Sequence, residues 1–209
     1  MKRLISIIAT LLCSAAVFAQ TAGEIVNRME KVLQQQESDG VFMIVDVKLP
    51  VLGTLSTKTW MYGDKMRAEA GAMGVELITW TDGTTQWVYN SKANEIEISN
   101  FENKEADASD GDIDMFVGLD EGYDLSIKEE TGKAWHILCK KSKANKDKDA
   151  PKTINIMVEK GTFNPMSLTT KMKGVTLTMR DLSFNVTEKQ ATFNQEDYPD
   201  AKIIDKRQQ

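Results

Sequence analysis

The sequence is poor in the residues that most often do chemistry. Two cysteines, Cys13 and Cys139, and one histidine, His136, are all it has of thiols and imidazoles. Cys13 lies in a short apolar run near the N-terminus. Once that run is removed Cys139 stands alone, which excludes an intramolecular disulfide and leaves the fold to its core. His136 and Cys139 are three residues apart on an expected strand, so they point to opposite faces and form no nucleophile–base pair. Cys139 shares its face with Trp135 and Ile137 and reads as a buried thiol. Metal binding by Cys and His needs more ligands than these. Asp107, Asp110, Asp112 and Asp114 miss the spacing of a calcium loop and read as a solvated acidic stretch. There is no GxGxxG, P-loop or GxSxG. No apolar run reaches the roughly 20 residues that a membrane-spanning helix needs. The sequence therefore points to no catalytic residue, no cofactor and no metal, and to a protein that is not an enzyme.

Basic charge is also in deficit. The formal net charge is −5, and loss of Lys2 and Arg3 with the N-terminal run takes it to −7. An acidic chain argues against nucleic acid and against plain electrostatic docking to anionic lipid.

The first nineteen residues have the form of a secretory signal peptide. Lys2-Arg3 is the basic region, residues 4–12 the apolar run, and Val17-Phe18-Ala19 the cleavage site. Cys13 follows Leu11-Leu12, whereas a lipidated cysteine follows a small residue. Residues 20–209 are expected as one exported, soluble domain, long enough to bury a core.

Residues 58–98 organise that domain as consecutive antiparallel strands. Tyr62-Gly63-Asp64-Lys65 suits a two-residue type II′ hairpin, and Thr81-Asp82-Gly83-Thr84 a type I′ hairpin. The first turn sets Trp60 opposite Arg67 and Lys58 opposite Glu69, a face that reads as solvated with a cation–π pair. Its reverse carries Thr59, Met61, Met66 and Ala68. The second turn sets Ile78 opposite Trp87, with Trp80 and Tyr89 on the same side, and Leu77 opposite Val88. Together these suggest one mostly apolar face, rich in Met and aromatics, which something must cover or bind.

Before the strands, Thr21 and Glu24 have capping-box spacing, and Ile25, Met29, Val32 and Leu33 recur at helical spacing. A helix over residues 22–36 would cover the sheet. A first strand spans 41–48. Residues 101–121 are acidic and change period: a capping-box pattern at 109–112 precedes Ile113, Phe116 and Val117 on one helical face. That segment reads equally as a lid or as a permanent plug. Strands follow at 123–130, 134–140 and 153–159, with a charged loop at 141–152. The hairpin around Lys173-Gly174 alternates cleanly, with Met166, Leu168, Thr170, Met172, Val175, Leu177 and Met179 on one face and polar residues on the other. A last strand is expected at 191–193, then an extended tail at 198–205.

Methionine is abundant. Ten of the eleven lie beyond the leader, several aimed at the apolar sheet face. Flexible, polarizable Met suits a surface that accepts varied apolar ligands, and it equally fills an ordinary core.

The order of these parts resembles the periplasmic outer-membrane lipoprotein carriers of the LolA type. The resemblance runs through Trp60, Thr81-Asp82-Gly83, Trp87-Val88-Tyr89-Asn90, Pro165-Met166 and the tail from Ala191-Thr192-Phe193 to Ile204-Asp205, and residues 81–90 are its most specific piece. It implies a mainly β (α+β) fold, an incomplete, unclosed antiparallel β-barrel covered by an N-terminal helix and a mid-chain helical lid. It implies a periplasmic carrier that shields acyl chains in a hydrophobic cavity on the way to the outer membrane. Lipoprotein acyl chains or another lipid are its expected ligands, and an inner-membrane lipoprotein-releasing transporter is a candidate donor. No nucleic acid is expected, and the chain is expected as a monomer. The cavity residues would be Met61, Met66, Ile78, Trp80, Trp87, Tyr89, Leu168, Met172, Val175, Leu177 and Met179, with Ile113, Phe116 and Val117 as the lid. The same fold admits a second role, an envelope sensor that binds a protein partner. One departure bears on this choice. The family's Lys-Arg-Pro falls on Tyr62-Gly63-Asp64, so the arginine used in energy-coupled hand-off is absent, and Arg67 lies on the face opposite Met61 and Met66.

Overall fold

The computed structural model describes residues 20–36, 39–51, 53–101, 116, 118–172 and 174–207. The leader and the core of the proposed lid, including Ile113 and Val117, lie outside the described residues.

Helix α1 spans Ala22–Gln36, as its capping box predicts. Thr21 Oγ1 accepts from the Glu24 amide at 3.2 Å, and the Glu24 carboxylate accepts from the Thr21 amide at 2.9 Å. Twelve strands follow in one open sheet: β1 (Val41–Leu49), β2 (Gly53–Tyr62), β3 (Lys65–Ala72), β4 (Val75–Thr81), β5 (Thr85–Asn90), β6 (Glu95–Asn100), β7 (Tyr123–Glu130), β8 (Ala134–Lys141), β9 (Thr153–Glu159), β10 (Pro165–Met172), β11 (Val175–Phe184) and β12 (Lys202–Asp205). One-turn helices α2 (Leu119–Gly122) and α3 (Glu188–Ala191) and a 3₁₀ turn at Gln195–Asp197 complete the described elements. The sheet order is β12-β6-β5-β4-β3-β2-β1-β11-β10-β9-β8-β7, so β1 joins two meanders and the ends do not meet. Every pairing is antiparallel except β12 with β6, which is parallel.

Two turns explain most of the register. Gly63 adopts φ 58° and closes Tyr62 onto Lys65, which brings Trp60 opposite Arg67 as expected. At residues 82–85 the turn is wider than the Asp-Gly pair suggests. Asp82 Oδ1 accepts from the Thr84 amide (3.0 Å), the Thr84 hydroxyl (2.8 Å) and the Thr85 amide (2.7 Å), drawing both threonines into the loop. The last pair is Thr81 with Gln86. Ile78 therefore pairs with Tyr89 and Trp80 with Trp87, not Ile78 with Trp87; Val88 faces Thr79, not Leu77.

The expected strand at 191–193 is absent. Thr187 and Gln190 form a capping box there, with the Thr187 amide donating to Gln190 Oε1 at 2.8 Å, and residues 188–191 coil into α3. The extended tail is present as β12, beside β6.

The main core lies between α1 and the half of the sheet formed by β1 and β8–β11. Ile25, Val26, Met29 and Leu33 pack with Met43, Val45, Ile137, Ile156, Leu168 and Met179. We call this side of the sheet the inner face.

Candidate functional site

The single apolar face expected from the sequence is two faces. Cross-strand partners share a side, and one row of partners reads Trp60–Arg67–Trp80–Trp87, the next Lys58–Glu69–Ile78–Tyr89. Both rows point outward. The inner rows are Met61–Met66–Thr81–Gln86, Thr59–Ala68–Thr79–Val88 and Thr57–Ala70–Leu77–Asn90. Ile78, Trp80, Trp87 and Tyr89 therefore do not line a cavity with Met61, Met66 and the late hairpin. The reason is the tight turn at Met73-Gly74, which pairs Ala72 with Val75 and fixes Arg67 opposite Trp80.

On the outer face these aromatics meet the C-terminal segment. Phe193 stacks on Trp87 at 5.2 Å and stands edge-on to Trp80 at 5.3 Å. Tyr198 contacts Trp80 at 5.6 Å and Tyr89 at 4.6 Å. Arg67 lies 5.1 Å from the Trp60 ring and 5.7 Å from the Trp80 ring, and pairs with Glu69. This face is half-buried rather than solvated. Glu188 of α3 meets Lys65 at 3.0 Å and holds the segment at its start. The result is a second core in which Ile78, Trp80, Ile96, Val186 and Ala191 are buried.

The late hairpin divides differently. Leu168 and Met179 are fully buried beneath α1, and Leu177 nearly so. Met172 and Val175 are half-buried at the end of the same inner face. Phe116 is fully buried in the α1 core.

Outside that core, among the described residues, lies the inner face of β2–β5, where Thr59 and Thr81 are buried and Met66, Ala68, Ala70, Thr79 and Val88 half-buried. The main buried cluster includes no residue of β3–β6, and only Met61 of β2 packs against it. Along β3 the inner side chains are Met66, Ala68, Ala70 and Ala72, so the strand presents a shallow furrow. Its sides are Met61, Thr59, Thr79 and Val88, and its far end is Leu55 and Leu77, which are 40% and 42% exposed. Of the three alanines, Val88 and the two leucines, the sequence places Ala68 with Met61 and Met66 and pairs Leu77 with Val88, but it assigns none of the set to the lining and does not point to Ala70, Ala72 or Leu55. Carrying the register across the Met73-Gly74 turn would have found them.

The thiol and imidazole stay apart. Cys139 is buried with Trp135 and Ile137, and desolvation pushes its pKa up to about 12. His136 is on the other side of β8, with Nε2 3.3 Å from Asn155 Oδ1. Among the described residues no cluster of three or more His, Cys, Asp or Glu could hold a metal ion, and no helix is long and apolar enough to cross a membrane.

No family model and no curated protein matches the sequence. Solved structures do match the fold. The Mycobacterium tuberculosis lipoprotein LppX aligns at 12% identity and TM-score 0.50, covering 78% of this chain and 96% of its own. An uncharacterized conserved protein from Thermus thermophilus aligns at 17% identity and TM-score 0.46, over 88% of this chain and 99% of its own. The LolA superfamily protein NE2245 from Nitrosomonas europaea aligns at 10% identity and TM-score 0.35, over 84% and 99%. The likeness is one of fold: the chain shares with LppX its overall architecture, and a LolA superfamily protein stands among its structural neighbours.

Proposed function

We propose that the protein is a non-enzymatic carrier of acyl chains. The observation that carries this reading is the inner face of β2–β5, where Met66, Ala68, Ala70 and Ala72 form an apolar furrow that α1 does not fill. An acyl chain laid along it would be flanked by Met61, Val88, Leu55 and Leu77, and would continue toward Met172 and Val175. Each methylene removed from water contributes about 0.8 kcal/mol, so a furrow holding ten of them competes with a bilayer for one chain. The methionines adapt to the chain's shape, and the threonines Thr59 and Thr79 keep the wall narrow. The cargo is a lipoprotein or another lipid, carried through the periplasm toward the outer membrane, with a lipoprotein-releasing transporter as donor.

The test is uptake of a fluorescent fatty-acyl probe, with native mass spectrometry of the protein purified from its own compartment. Ala68→Trp, which fills the furrow, should reduce uptake at least tenfold. Thr169→Glu, on the outer face, should leave it unchanged. Equal uptake by a folded Ala68→Trp variant would sink the assignment. A protein that purifies with a polypeptide partner and no lipid would establish the sensor role instead.

A further inference from the structure

Alternation of the hairpins sorts the turns to two ends of the sheet. The β1–β2, β3–β4, β5–β6, β8–β9 and β10–β11 connections share one end, and the β2–β3, β4–β5, β7–β8 and β9–β10 connections share the other. The first end is unlike the rest of this acidic chain. Lys140 pairs with Thr153, Lys171 with Thr176, and Thr176 with Lys48. The three lysines thus stand exposed on alternate strands β8, β10 and β1, roughly 10 Å apart at the usual strand spacing. Lys141 at the end of β8 and Lys143, Lys146, Lys148 and Lys152 in the adjoining β8–β9 loop add five more. Against these eight stand Asp147 and Asp149 in the loop and Asp120, Glu121 and Asp124 beside it, so the end keeps a basic surplus along β1 and β8–β11; toward β4–β6 it carries Glu76 and Glu95, the latter paired with Lys202. A groove of about 390 Å³ runs between Lys148, Pro151, Lys152, Lys171 and Met172.

The same end puts apolar side chains in water. Val51, in the β1–β2 turn, is 91% exposed, and Met73, in the β3–β4 turn, is completely exposed. Met73 also adopts φ 53°, a conformation that costs a non-glycine residue energy. The described turns at the opposite end expose no large hydrophobic side chain.

We infer that this end docks on an anionic phospholipid bilayer, with the lysines over the headgroups and Val51 and Met73 entering the interface. The net negative charge does not oppose this. Screening limits electrostatic reach to about 8 Å at physiological salt, so the surface that touches the bilayer decides, not the distant acidic residues. Lysines and apolar tips are the two elements of interfacial binding, and their contributions add. The furrow on β3 runs to this same end at Ala72, whatever occupies it.

The experiment is co-sedimentation of residues 20–209 with vesicles of phosphatidylcholine alone, or with about a third of the lipid replaced by phosphatidylglycerol. Binding to the anionic vesicles, weakened by added salt, and little binding to the neutral ones is the expected result. Each lysine near such a surface is worth about a fivefold factor, so Lys148→Gln/Lys152→Gln/Lys171→Gln should weaken binding roughly a hundredfold. Val51→Ser/Met73→Ser should weaken it severalfold. Lys128→Glu/Lys133→Glu, at the opposite end, should change it less than about twofold. Circular dichroism checks that each variant is folded, and all these positions are exposed. No binding by the unaltered protein, equal binding to both vesicle types, or full binding by the triple variant would overturn the inference.

Discussion

The two halves of the sheet carry their hydrophobic clusters on opposite sides. In the half formed by β1 and β8–β11 the buried side is inner, its cover is α1, and its contacts are aliphatic: Ile25, Met29, Ile137, Ile156 and Leu168. In the half formed by β2–β6 the buried side is outer, its cover is the segment 185–201, and its contacts are aromatic: Trp80 and Trp87 with Phe193 and Tyr198. The strands continue from one half to the other without a break, yet the core changes sides near β1 and β2. A sheet does not choose its own dry face. The element that lies on it does, and the side left over becomes available for binding. Here the main core stops at β1 and Met61 and the C-terminal segment lies on the outer face, so among the described residues the inner face of β2–β5 belongs to neither core.

The comparison can be broken most severely at Trp80. It is 3% exposed and contacts both Phe193 and Tyr198, so Trp80→Ala should cost about 3–5 kcal/mol in chemical denaturation. Met29→Ala, in the α1 core, should cost about 2–4 kcal/mol. If the halves are separate cores, the two costs add in the double variant; a shortfall beyond about 0.5 kcal/mol would show that they are coupled.

Cys139 sharpens the comparison. Its buried, strongly protonated thiol should resist a thiol reagent at neutral pH and react only when the α1 half opens. Met29→Ala should speed that labelling by an order of magnitude or more, and Trp80→Ala should leave it nearly unchanged in native conditions. Equal acceleration by both would mean that the molecule opens as one unit.

A smaller effect is expected at the start of α3. Thr187→Ala removes the capping box that carries the C-terminal segment onto the sheet and should cost about 1 kcal/mol, read as a shift in Tm.

The smallest effect concerns pH. Glu30 on α1 is raised in pKa chiefly by burial, and it accepts from the Leu119 amide of α2 at 3.3 Å. The folded state therefore holds this proton more tightly than the unfolded chain. Its stabilising contribution is present below the ordinary value of 4.5 and is lost as pH rises through the higher folded value. Glu30→Gln should flatten stability between mild acid and neutrality and raise the neutral midpoint. An unchanged pH profile would place the dependence elsewhere.

Local chemistry in the sequence determined more of the fold than of the site. The Thr21–Glu24 box and its helix, the Gly63 turn and the Trp60–Arg67 pair, and the one-sided late hairpin from Leu168 onward all follow from short-range geometry, where each residue's partner is within a few positions. Met166, expected on the apolar face, sits at a register shift and is exposed. The unclosed β-barrel architecture expected from the resemblance is present. The Asp82 turn escaped because a side chain, not the backbone dipeptide, sets its length. The strand expected at Ala191 escaped because a threonine–glutamine capping box outweighed a short apolar run.

Which face each half buries was decided only by the tertiary structure. Apolar alternation says that a strand has a dry side, but period two gives the same pattern whichever way the sheet is turned. The identity of that side came from elements far away in sequence, α1 before the sheet and Phe193 and Tyr198 after it. The clustering of lysines at one end is likewise a product of topology: Lys48, Lys140 and Lys171 are distant in an acidic chain, and only antiparallel pairing sets them in one row.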